Sequence, residues 1–156
     1  MTEETKEPLI GKTLEELRTL ARDLGMPAFV GGQIARWLKD INEMANISKK
    51  HRELLAQRFT VGCHAPIDAQ YSKDGTIKYL FPVYAGASKE KLRHEFVETV
   101  YIPDGDRATL CVSSQVGCKM NCLFCQTGKQ GFEGSLTAAD ILNPGYALPD
   151  VDKLTN

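Results

Sequence analysis

Three cysteines fall within eight residues, Cys118, Cys122 and Cys125 in the run CKMNCLFC, and no other feature limits fold and chemistry as strongly. A disulfide between any two of them would strain so short a loop, and the total of five cysteines, with Cys63 and Cys111, is odd. In a reducing compartment such a cluster holds metal more often than it forms bridges. The remaining composition agrees with that setting. The 156 residues are 42% hydrophobic and 25% charged, as in an ordinary globular protein. The N-terminal MTEETKEPLI is polar and no run of about 18 apolar residues occurs, so the expected location is cytoplasmic, with no membrane partner. A net charge of -1 makes no global case for nucleic acid but leaves room for a local basic face.

The expected fold class is α+β. Residues 1–65 read as a small helical domain: Thr13 and Glu16 have capping-box spacing, and Leu14, Leu17, Leu20 and Leu24 recur at helical intervals until Gly25. After Met26-Pro27, the residues Phe29, Ile34, Trp37 and Leu38 predict a second helix, and a third starts near Ser48 and buries Leu54, Leu55 and Phe59. Residues 66–106 read as an antiparallel meander. Asp74-Gly75 is a hairpin turn, followed by a strand from Ile77 to Val83, a polar insert from Ala85 to Arg93 and a strand from His94 to Ile102. Residues 107–156 open a further segment, in which a strand from Ala108 to Ser113 leads straight into the cysteine loop. Thr137 and Asp140 then start a helix that Pro144-Gly145 should end or kink.

Three metal chemistries compete for the cysteine triplet. Structural zinc takes four protein ligands, and neither Cys63 nor His64 is placed by sequence to supply the fourth. An electron-transfer cluster also needs a fourth thiolate, for which Cys111 is available but lies inside a predicted strand. In the third reading three cysteines hold three irons and leave the fourth open for the amino and carboxylate groups of S-adenosylmethionine. Cys-x3-Cys-x2-Cys is the signature of the radical SAM superfamily, and Phe124 resembles the aromatic residue these enzymes place beside the cofactor's adenine.

The surrounding sequence is more specific. VETVYIPDGDRATLCVSSQVGCKMNCLFCQTGKQGF, from Val97 to Phe132, with SKDGTIK at Ser72 to Lys78, closely resembles the RlmN/Cfr group of radical SAM RNA methyltransferases, and the RlmN type within it. The resemblance implies methylation of an adenine at C2 in large-subunit rRNA, and in some members in tRNA, with C8 methylation as the related alternative. It implies a [4Fe-4S] cluster on Cys118, Cys122 and Cys125, S-adenosylmethionine, and an external electron donor such as flavodoxin. Cys111 matches the position that forms a transient disulfide with a methyl-carrying cysteine, and no cysteine follows Cys125. Glu98 matches a carboxylate described as a proton acceptor.

On their residues alone these two positions read more plainly. Cys111 is a strand cysteine packed like a small hydrophobe, and Glu98 shares a strand face with Val100 and Ile102. Cys63 and His64 read as packing or surface residues. Arg36, Lys39, Lys49, Lys50, Arg52 and Arg58 outnumber Asp40, Glu43 and Glu53, which suits a module touching RNA phosphates. A non-catalytic RNA-binding module is therefore the second class of function. Against the family, the chain lacks the glycine-rich SAM motif and later barrel units. The expectation is an N-terminal portion: a helical domain, a meander, and the first strand-helix unit of a truncated partial barrel.

Overall fold

The structure is a computed structural model, and it describes residues 6–38, 40–83 and 95–148. The chain divides into two compact units, Met1–Cys63 and His64–Asn156, each with a core of its own.

In the first unit, α1 (Leu14–Asp23) starts at the expected capping box. The Thr13 hydroxyl accepts the Glu16 N–H at 3.3 Å, and Glu16 Oε2 accepts the Thr13 N–H at 2.6 Å, so two orphan donors are satisfied reciprocally. Leu17, Leu20 and Ala21 point inward, and Gly25 ends the run at φ 71°. The second helix, α2 (Phe29–Arg36), presents a different face from the one its large residues suggest. Phe29 and Trp37 are 67% and 43% exposed, while Val30, Gly31 and Ile34 are buried.

The reason is Gly31. A Cβ there would lie 2.6 Å from the backbone nitrogen of Arg18, so α2 meets α1 backbone to backbone and the turn around that contact is fixed. A short 3-10 turn (Ile41–Glu43) and α3 (Lys49–Arg58), capped by Ser48, complete the helices. Within α3 and its end, Leu55 is fully buried, whereas Leu54 and Phe59 are only partly so. Two-residue strands β1 (Glu7–Pro8) and β2 (Phe59–Thr60) pair in parallel and bring the fully buried Leu9 into this core.

The second unit is built on the expected meander. Its strands β3 (Asp68–Tyr71), β4 (Ile77–Pro82), β5 (Phe96–Asp104) and β6 (Arg107–Val112) are antiparallel in sequence order. The Asp74-Gly75 turn closes with Gly75 at φ 86° and the Thr76 N–H donated to Asp74 Oδ1 at 3.0 Å. The polar insert and His94 lie outside the described residues. Tyr79, Phe81, Val97, Tyr101 and Ala108 line one face of the sheet and are buried with Val116, Leu136 and Leu148.

Two expectations are corrected here. The meander does not lead straight into the cysteine loop. β6 ends at Val112, and a separate short strand β7 (Gln115–Gly117) pairs with β8 (Phe132–Ser135), so that the loop is the excursion between them. The helix α5 (Ala138–Ala147) also does not stop at Pro144, which sits inside it. Proline removes one helical donor and costs about 3 kcal/mol. Burial of Ala139, Asn143 and Pro144 offsets that, and the Asn143 side chain clamps the His64 backbone, accepting its N–H at 2.7 Å and donating to its carbonyl at 3.0 Å.

Candidate functional site

The cysteine loop is closed at its neck by two glycines. Gly117 has φ 72°, and a Cβ on it would lie 1.8 Å from the Gly131 carbonyl oxygen, to which the Cys118 N–H donates at 2.9 Å. Only glycine allows the two arms to approach so closely. The Lys119 N–H reaches Gln115 Oε1 at 3.4 Å, and the Lys119 ammonium stands 6.0 Å from the centre of the Phe132 ring. Further along, Asn121 takes a left-handed φ of 49°, which this residue type tolerates, and turns the chain into Cys122.

Cys125 caps the four-residue helix α4 (Gln126–Lys129), and its N–H donates to the Cys122 carbonyl at 3.1 Å. The backbone N–H of Gly128, then that of Thr127, favours the charged form of its sulfur and holds the thiol below its ordinary pKa. Cys118, Cys122 and Cys125 are all free and half-buried. Between them the apolar side chains Met120, Leu123 and Phe124 are turned out, Phe124 being 92% exposed. Among the described residues, no three His, Cys, Asp or Glu side chains sit together as a set able to hold a metal ion. The donor chemistry nevertheless suits iron: three thiols on one loop, one already biased toward thiolate, on a backbone packed so closely at Gly117 and Gly128 that a Cβ at either would meet it.

The two other predicted residues lie together on the meander. Val100 pairs with Cys111, and Glu98 precedes Val100 by two, so Glu98 and Cys111 are diagonal neighbours on the face opposite the core. Glu98 is bound to Lys78 at 3.0 Å, and its carbonyl accepts the Ser113 hydroxyl at 2.7 Å. Cys111 is exposed, which corrects the expectation of a packed strand cysteine: position 111 falls on the outer side of the pleat. By contrast Cys63 is half-buried against the helical core, and that burial raises its thiol pKa.

Sequence reasoning missed Lys78, because its place beside Glu98 depends on sheet register. It also missed Gly117 and Gly128. A signal for these existed, since each glycine lies within three residues of a cysteine in the triplet. The basic residues also divide. Lys49 and Lys50 are exposed at the start of α3, while Arg52 is engaged on the Asn42 carbonyl and Lys39 lies outside the described residues.

Residues 8–61 match the family model described as the ribosomal RNA large subunit methyltransferase N-terminal domain. A curated relative from Bacteroides fragilis, named probable dual-specificity RNA methyltransferase RlmN, is 59% identical over 97% of this chain. The chain belongs to the RlmN family. A second RlmN, from Bacteroides thetaiotaomicron, is 55% identical over 97% of the chain, and the chain spans 43% of the length of both relatives. The RlmN of Saccharophagus degradans is 43% identical over 86% of the chain and 33% of its own length. In three dimensions the chain is similar to the crystal structure of a radical SAM methyltransferase from Sphaerobacter thermophilus, with a TM-score of 0.79 and 32% identity over 96% of this chain and 45% of that one. RlmN kinship thus covers both units, although the family model itself matches only the helical one. Among the described residues no helix is long and apolar enough to cross a membrane.

Proposed function

We propose that this chain carries the cluster-binding loop of a radical SAM RNA methyltransferase of the RlmN type, acting at C2 of an adenine in large-subunit rRNA and in tRNA. Cys118, Cys122 and Cys125 would hold a [4Fe-4S] cluster and leave one iron to S-adenosylmethionine. When bound, the cluster supplies an electron to that cofactor, drawn from an external donor such as flavodoxin. The observation that carries this reading is the loop itself, glycine-necked and bearing three free thiols, one of them lowered in pKa by a helix N-terminus.

The chain's own residues then divide the work. Phe124, turned out beside Cys125, offers an apolar face to the cofactor's adenine. Glu98 accepts a proton, with Lys78 holding its carboxylate in place. Cys111 faces outward and is free to pair with a cysteine beyond these residues. In the finer arrangement β7 and the loop open a partial barrel, residues 66–106 connect to it, and residues 1–65 touch RNA. Support for RNA contact comes from α3, whose first turn holds Lys49, Lys50 and Arg52 and no acidic residue. Helix N-termini favour negative charge, so these cations do not help the helix, but a phosphate there would meet both them and the free N–H groups.

Anaerobic loading with iron and sulfide tests the reading. The broad visible absorbance of a cluster is expected and should vanish when Cys118, Cys122 and Cys125 are all changed to Ala; equal absorbance in that variant would refute it. Changing Lys49 and Lys50 to Glu should weaken RNA retention at low salt. Arg52 is left intact because it supports the fold. Unchanged retention would remove the RNA contact, and retention without any cluster would favour a binding module.

A further inference from the structure

We infer that Gly128 is a positioning residue for the cysteine triplet, fixing the distance between Cys122 and Cys125 by admitting α4 onto the backbone of Cys122; this rests on the cluster reading above. A Cβ at Gly128 would lie 2.8 Å from the Cys122 nitrogen, 3.1 Å from its carbonyl oxygen and 3.3 Å from the Asn121 carbonyl carbon. All three are backbone atoms, so no flexible side chain can move aside. The same helix is tied down at its other side, where the Cys125 N–H donates to the Cys122 carbonyl at 3.1 Å and the Lys129 N–H to the Cys125 carbonyl at 3.2 Å. The two cysteines are thus linked twice, once by hydrogen bonds and once by contact through Gly128. Gly128 is buried and its φ is not positive, so backbone conformation gives no reason for glycine. Glycine is otherwise unfavourable in a helix relative to alanine, and the close contact supplies the reason.

The experiment compares Gly128→Ala with Gly145→Ala. Gly145 also lies in a helix but has no atom within 4 Å of the Cβ it would gain. Each chain is loaded anaerobically with ferrous iron and sulfide, and iron per chain, visible absorbance and melting temperature before loading are measured. Gly128→Ala is expected to weaken iron retention by about tenfold or more, as removal of a ligand-orienting contact does. Its melting temperature before loading should stay within about 4 °C of the parent, and Gly145→Ala should load normally. Full loading of Gly128→Ala overturns the inference, as does a loss matched by collapse of the unloaded protein. If the parent chain itself takes up no iron, the cluster reading falls first and the inference with it.

Discussion

Both units leave some large apolar residues exposed, Leu14, Phe29 and Trp37 singly in the helical one, but only the sheet unit groups them on one loop. Leu9, Leu17, Ile34, Met44 and Leu55 come from different segments of the helical unit and are all fully buried. The sheet unit buries Phe81 and Val83 as thoroughly, yet leaves Phe96, Ile102, Met120, Leu123 and Phe124 exposed, the last three on the cysteine loop. Apolar residues grouped on an exposed loop do nothing for the stability of the unit that carries them and mark a contact surface. The pattern of one unit therefore reports packing, and that of the other reports packing and a site together.

The strongest way to break this distinction is to truncate a phenylalanine of each kind. Phe81→Ala should cost about 3–5 kcal/mol through lost burial and a residual cavity. Phe124→Ala should change stability by no more than about 0.5 kcal/mol, as at an exposed position. Urea titrations followed by far-ultraviolet circular dichroism measure both, and similar losses would abolish the distinction between core and loop.

Glycine substitution sharpens the comparison inside the helical unit. Gly31→Ala should destabilise by about 1–3 kcal/mol, because its new Cβ meets the Arg18 backbone. Its neighbour Gly32 has nothing within 4 Å, and Gly32→Ala should gain about 0.4–1 kcal/mol. Trp37, the single tryptophan, lies in this unit and reports its unfolding by fluorescence. Opposite signs at adjacent positions would be hard to obtain from propensity alone. In the sheet unit, Thr137→Ala removes a capping box matching that of α1 and should cost about 1 kcal/mol, read as a lowered melting temperature.

These residues also show what the sequence makes legible. Capping boxes at Thr13 and Thr137, the Asp74-Gly75 turn and the meander are local patterns, each written within a few residues. The face of α2, the place of Lys78 beside Glu98, and the passage of α5 through Pro144 depend on contacts between distant segments, so periodicity could not give them. Phe29 and Trp37 illustrate this: both belong to the apolar set that predicts the second helix, yet both are exposed, because a glycine sets the contact with α1. The cysteine triplet was legible as a metal-binding pattern, whereas the two-stranded sheet that frames it was not. Strands as short as β7 and β8 carry too few residues to show alternation.

The smallest expected effect concerns pH and separates the parts of the α1 capping box. Glu16 is held below its ordinary pKa first by the Thr13 backbone N–H, then by the Thr13 hydroxyl, with burial opposing and Lys12 assisting. A folded-state pKa below the unfolded one means the stabilisation is present above the unfolded value, roughly 4.3, and is lost as pH falls through the folded value. Glu16→Gln should therefore reduce stability at pH 7 and converge with the parent at a pH below the folded value, where the glutamate too is neutral. Thr13→Ala should retain part of the pH dependence, because the larger contribution comes from a backbone N–H that the substitution keeps. Trp37 fluorescence during denaturation at the two pH values reads both variants. A deficit in Glu16→Gln that persists undiminished at low pH would mean that its carboxylate charge contributes nothing to the cap.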